Sequence, residues 1–152
     1  MDDARLERGR QIRAEVLGPE YVAARAAQPV THPVIETWRR YLVEEGWGGV
    51  WARPGLDRKY KSLVTISVLA ATGKSQELGV HLVGALRNGW TADELGEVLI
   101  HLSSYAGYPA AVEAFRVAEK VFAEAALDAE SPTAESPAAE SPAAESRTDQ
   151  SE

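Results

Sequence analysis

The chain has 152 residues, 45% hydrophobic and 26% charged, with no cysteine and a formal net charge of −7. That length and composition fit one compact domain of ordinary soluble type. Without a thiol there is no disulfide, no cysteine nucleophile and no CxxC redox pair, and no apolar run approaches the ~18 residues of a membrane span.

The charge is unevenly placed. From Asp128 onward seven acidic residues face one basic residue, leaving −6 there and −1 over residues 1–127. So neutral a folded part has no basic excess with which to release counterions from nucleic acid, which excludes nucleic acid as its main partner. The opening MDDARLERGR has no apolar signal core, so a cytoplasmic protein with no membrane partner is expected.

The elements read as helices throughout. Asp2 or Asp3 caps a first helix with Leu6, Ile12, Val16 and Leu17 inward, ended by Gly18-Pro19. A short helix follows at 19–27. Pro33 suits a helical first turn, and Val34, Ile35, Trp38, Tyr41 and Leu42 repeat at helical spacing until Gly46. Asp57 caps an apolar stretch, Leu63 to Ala71, stopped by Gly73. Ser75 opens the next helix, which ends at Asn88-Gly89. Thr91 and Glu94 form a capping box for a helix running to about Tyr105. Gly107 and Pro109 separate it from a last amphipathic helix carrying Val112, Phe115, Val117, Val121 and Phe122. No alternating run sits between turn dipeptides, so the fold class is all-α, a single domain of six to seven helices over residues 1–127. Glu-Ser-Pro then recurs at 130–132, 135–137 and 140–142. Proline every fifth residue forbids a helix and nothing larger than alanine is left to bury, so 128–152 is expected to be a disordered tail.

Polar side chains on these greasy helices mark candidate chemistry. Glu77 and His81 stand four apart and share a face. On the next helix Glu94, Glu97, His101, Ser104 or Tyr105, and Tyr108 trace a second polar stripe, and the two Glu-x-x-x-His pairs could face each other across one cavity. A single such pair is more often a surface or interfacial contact; two on adjacent apolar helices make a site as plausible as a bland pairing. No metal is expected, because neither helix has Glu-x-x-His or HExxH spacing and no further ligand stands near. Upstream, WGGVWARPGLDRKYKSL at 47–63 sets Trp47 and Trp51 beside Arg53, Arg58, Lys59 and Lys61. Cations at a helix N-terminus oppose its dipole, which favours a carboxylate-binding role over mere solvation. Tryptophans at this density otherwise read as core or subunit interface.

Those stretches resemble the carboxymuconolactone decarboxylase family: VLG at 16–18, WGGVWARPGLDRKYKSLVTIS at 47–67, ELGVHLVGALRNGWTADELGEVLIH at 77–101 and YAGYPAAVEAF at 105–115. The likeness runs from about Leu6 to Phe122. It implies an alkylhydroperoxidase-D-like helical subunit, a homo-oligomer (trimer or hexamer), and cofactor-free loss of carbon dioxide from 4-carboxymuconolactone to give 3-oxoadipate enol-lactone in protocatechuate catabolism. The family's peroxidase branch carries C-x-x-C-x-x-x-H; aligned on His81, its cysteine positions fall on Lys74 and Glu77, which excludes peroxidase chemistry. The chain departs from the family's decarboxylases where these commonly carry arginine, at Lys61 and Val83, and at Ala106 and Val112. An arginine lost from a dicarboxylate site is not a conservative change.

In such a reaction the lactone itself delocalises the electron pair that carbon dioxide leaves behind. Arg53 and Lys61, with Arg58 in reserve, are expected to hold the spectator carboxylate, and Trp51 to wall off the departing one. His81, held by Glu77, is expected to protonate carbon; the carboxylate favours imidazolium and burial opposes it, placing the pair near neutrality. Tyr105 or His101 would donate to the lactone oxygen. Two other readings stand beside this one. The first is a different acid–base reaction, isomerisation or cyclisation, on a small carboxylic acid. The second is a non-catalytic ligand-binding oligomer, in which His81 packs without a cavity.

Overall fold

A computed structural model describes residues 2–130 of the chain. Among them lie seven α-helices, one π-helix and no strand, so the all-α expectation holds. The helices are α1 (Asp3–Leu17), α2 (Pro19–Ala26), α3 (Pro33–Tyr41), α4 (Arg58–Ala71), α5 (Ser75–Arg87), α6 (Ala92–Ala106) and α7 (Tyr108–Glu130). The tail expectation falls on 131–152, outside the described residues, and α7 itself runs past Leu127 to Glu130.

Local chemistry explains most boundaries. The Asp2 carboxylate accepts from the Ala4 and Arg5 amides, starting α1. Asp57 does the same for Lys59 at α4. Thr91 and Glu94 close a reciprocal capping box at α6. Gly73 and Gly89 take positive φ after α4 and α5, letting the Lys74 and Trp90 amides reach back to the carbonyls of Leu69 and Ala85.

One boundary differs from the sequence expectation. The chain does not break at Gly46; α3 continues as a π-helix over Leu42–Trp51, closed by an Ala52 amide bonded to the Trp47 carbonyl. The glycines there serve close packing. A Cβ at Gly48 would collide with the Arg5 carbonyl, and one at Gly9 with that of Val43, so α1 and the π-helix meet backbone to backbone. Arg5 ties the crossing to Glu45 at 2.8 Å, and the Asp2 amide donates to buried Glu44 at 2.6 Å.

Two cores result. Ile66, Leu78, Leu82, Leu95 and Leu99 join alanines of α7 in a core made by α4–α7. Ile12, Val16, Leu17 and Trp47 form a smaller one between α1 and the π-helix, with Trp51 and Val80 packed on it. The apolar stripe that repeats at helical spacing on α3 is exposed: Val34 is 59%, Trp38 55% and Tyr41 57% accessible. α3 contacts chiefly the π-helix that continues it, so no second layer covers its apolar face. On α7, Val112 and Phe115 are likewise exposed.

Candidate active site

A cavity of about 320 Å³ opens where α5 meets the smaller core, in the size range of small-ligand sites. Helix α5 brings Glu77 and His81 to its wall, and the π-helix brings Trp47 and Trp51. Leu78, Leu82 and Ala85 are the buried face of α5. Glu77 and His81 flank that face on one side, which turns them toward α1 and the π-helix rather than into the main core.

His81 packs beside the two tryptophans. Its ring lies 6.2 Å from each indole, with interplanar angles of 4° to Trp47 and 20° to Trp51, and the indoles stack on one another at 4.9 Å. No hydrogen bond to His81 is made among the described residues, and neither ring nitrogen is buried without a partner, so both are open to the cavity. Burial pushes His81 down to about 4, and the neighbouring Glu77 carboxylate offsets only part of that. The imidazole is therefore neutral at pH 7. The near-neutral value expected from the sequence is corrected, because two indoles strip more water from the ring than one carboxylate restores.

The positive charge comes from an unexpected place. Arg13 of α1 and Arg25 of α2 line the cavity with Tyr21. Neither arginine forms an ion pair among the described residues; Arg25 donates only to the Gln28 side chain, at 2.7 Å. Burial lowers Arg13 from its ordinary value; Tyr21 opposes the shift and Arg25 adds to it. A guanidinium keeps its charge regardless, so the site holds two cations without an ion-pair partner among the described residues. Arg13 was legible in one respect: it falls at helical spacing with Gly9, Ile12, Val16 and Leu17, a cation within a buried stripe. Nothing local marks Arg25.

The cations expected from the sequence lie elsewhere. Lys61 donates to the backbone carbonyls of Trp51, at 2.8 Å, and Arg53, pinning the loop that ends the π-helix; burial, then Arg58 and Arg53, lower its pKa. Arg58 pairs with Glu15 across to α1. Arg53 is exposed, and none of the three lines the cavity. The second Glu-x-x-x-His stripe is also displaced. Leu95 and Leu99 are the buried side of α6, so Glu97, His101 and Tyr105 project from its far side into solvent, with the His101 and Tyr105 rings 5.0 Å apart. His101 and Tyr105 thus do not meet His81 within this chain. Among the described residues no three His, Asp or Glu side chains gather as a metal site, and no helix is long and apolar enough to cross a membrane.

Comparison with known proteins agrees with this architecture. The family model described as "Carboxymuconolactone decarboxylase family" matches residues 36–120. The chain is 40% identical to the 4-carboxymuconolactone decarboxylase of Acinetobacter baylyi, over 85% of its own length and 95% of that protein's. It is 42% identical to the nitrosuccinic acid decarboxylase of Metarhizium robertsii, over 75% of its length and 78% of that protein's. An uncharacterised 15.0 kDa protein of Paracoccus denitrificans is 33% identical over 55% of the chain. Matched over most of its length by two decarboxylases, the chain belongs to the carboxymuconolactone decarboxylase family and is a carboxy-lyase.

Proposed function

We propose that the chain removes carbon dioxide from a small carboxylic acid whose carbanion is delocalised onto an oxygen of a neighbouring acceptor group. The leading candidate is 4-carboxymuconolactone, giving 3-oxoadipate enol-lactone in the breakdown of protocatechuate. The relatives' names support the general form: an unsaturated lactone in one substrate and a nitro group in the other can each take up an electron pair on oxygen. The observation that carries the reading is a neutral imidazole lying parallel beside a stacked pair of indoles, in a cavity where two arginines outnumber the one carboxylate.

The chemistry follows from that arrangement. Cleavage of the carbon–carboxylate bond leaves its electron pair on the substrate, where it moves through the acceptor to oxygen. The neutral His81 N–H donates a hydrogen bond to that oxygen as charge develops, a task that suits imidazole better than imidazolium when the proton must stay on nitrogen. Trp47, Trp51 and Val80 offer the departing carboxylate little polarity, which favours neutral carbon dioxide. Glu77 stands at the exposed edge of the site and relays a solvent proton to carbon, completing the exchange of carbon dioxide for a proton.

Purified protein mixed with freshly generated 4-carboxymuconolactone, and separately with nitrosuccinate, tests the proposal by carbon dioxide release. Turnover of the lactone is the expected result. Release from nitrosuccinate alone would move the substrate assignment, and release from neither would overturn the reaction class. The exposed apolar side chains of α3 and α7 support a homo-oligomer, since a monomer rarely leaves such patches open to water.

A further inference from the structure

We infer that Arg13 and Arg25 form a carboxylate clamp on the α1–α2 side of the cavity, making the enzyme select dicarboxylic over monocarboxylic acids. The inference deepens the decarboxylase reading, which supplies the identity of the leaving group.

The argument is one of charge placed asymmetrically in one small space. Two guanidinium groups from consecutive helices enter the same cavity, and neither has a carboxylate partner among the described residues. Arg13 sits on the inward stripe of α1, where it gives up water without gaining a counter-charge. Side by side, the two cations repel until an anion joins them. A carboxylate is the small anion that matches the guanidinium fork, and two forks leave ample donors after the bonds of Arg25 to Gln28 and of Arg13 to Tyr21. Tyr21, on the same wall, adds a hydroxyl. Glu77, brought to the cavity by α5, repels a carboxylate, while the indoles offer it nothing. A bound acid is thereby oriented. Its permanent carboxylate turns toward α1 and α2, and the second, which must leave as carbon dioxide, faces Trp47, Trp51 and His81. A clamp on the leaving carboxylate would stabilise the ground state and slow its loss, so the arginines serve the group that stays.

Binding separates this role from catalysis. Trp47 and Trp51 line the cavity, so their fluorescence reports occupancy by succinate, its monomethyl ester or its dimethyl ester, none of which need react. The wild-type chain is expected to bind succinate about 10- to 100-fold more tightly than the monomethyl ester, the worth of charge-assisted hydrogen bonds to one carboxylate. Arg13→Gln and Arg25→Gln should each remove most of that preference while leaving dimethyl ester binding unchanged. Arg25 is exposed at the edge of α2, so its variant keeps the fold even if loss of Arg13 does not. Arg10→Gln, on the outer face of α1 where Arg10 pairs with Glu7, should keep the wild-type preference. Equal affinities for succinate and the monoester, no succinate binding, or a preference that survives in Arg25→Gln would overturn the clamp. A dicarboxylate preference without carbon dioxide release from any acid tested would leave the clamp standing and end the decarboxylase reading instead.

Discussion

His81 shows how a single residue acquires its chemistry from what packs on it. In sequence it is a histidine four places after a glutamate; in the fold it is a dehydrated ring packed beside two stacked indoles, shifted to about 4. Replacing it with leucine removes the donor to the developing oxyanion, and kcat should fall by about 10²–10³-fold with little change in KM, as for other lost oxyanion donors. Steady-state carbon dioxide release checks this. Because the free enzyme's His81 is already neutral, it should contribute no inflection to kcat/KM between about pH 5 and pH 8. It should, however, mark stability. Between 6.5, its ordinary value, and about 4, the unfolded chain binds a proton that the folded chain refuses. Stability is therefore lost as pH falls through that window, the loss being complete below the folded value, and amounts to roughly 3 kcal/mol. Denaturant titrations at several pH values should show the wild type losing that much more than His81→Gln.

At the scale of elements, the site depends on how closely α1 approaches the π-helix. Gly9 and Gly48 permit the crossing, and the crossing fixes Trp47 and Trp51 against His81. Gly48→Ala must push the Arg5 backbone aside, at a cost of about 1–3 kcal/mol. Thermal melts should register a fall of roughly 5–15 °C, with activity reduced as the indoles shift. Thr91→Ala removes only the α6 cap and should cost about 1 kcal/mol with kcat unchanged, since α6 contributes nothing to the cavity. The two glycines and the threonine thus separate an element that shapes the site from one that merely supports it.

For the whole molecule, the unequal covering of its faces is the leading feature. The main core is closed on α4–α7, yet α3 presents Val34, Ile35, Trp38 and Tyr41 to solvent. Leu42, next in the chain, lines the cavity, so subunits meeting on α3 would also border its mouth. Light scattering on the eluting protein should give a multiple of the 16.4 kDa chain mass. Trp38→Glu should shift that mass toward the monomer and raise KM through the altered mouth. A wild-type monomer at micromolar concentration would remove the homo-oligomer from the proposal.

Helix positions were legible because they depend on near neighbours. Asp57, Thr91 with Glu94, and Gly73 and Gly89 act within a turn or two of themselves, and the apolar period names Leu78, Leu82, Leu95 and Leu99 as core without reference to any partner. Glu77, His81 and Trp51 stood out for the same reason, being polar or bulky side chains set on apolar helices, and the fold brings all three to one cavity. The cations could not be assigned that way. A guanidinium's reach and the angle of α1 and α2 decide whether it enters a cavity, so Arg13 and Arg25 arrive there while Arg58 turns to Glu15 and Lys61 to backbone carbonyls. The Glu-x-x-x-His pair on α6 is in sequence nearly a copy of the one on α5, yet only packing distinguishes a helix edge beside a cavity from one beside water. Local order was written in the residues; which charges share a space was decided by the crossing of helices far apart in the chain.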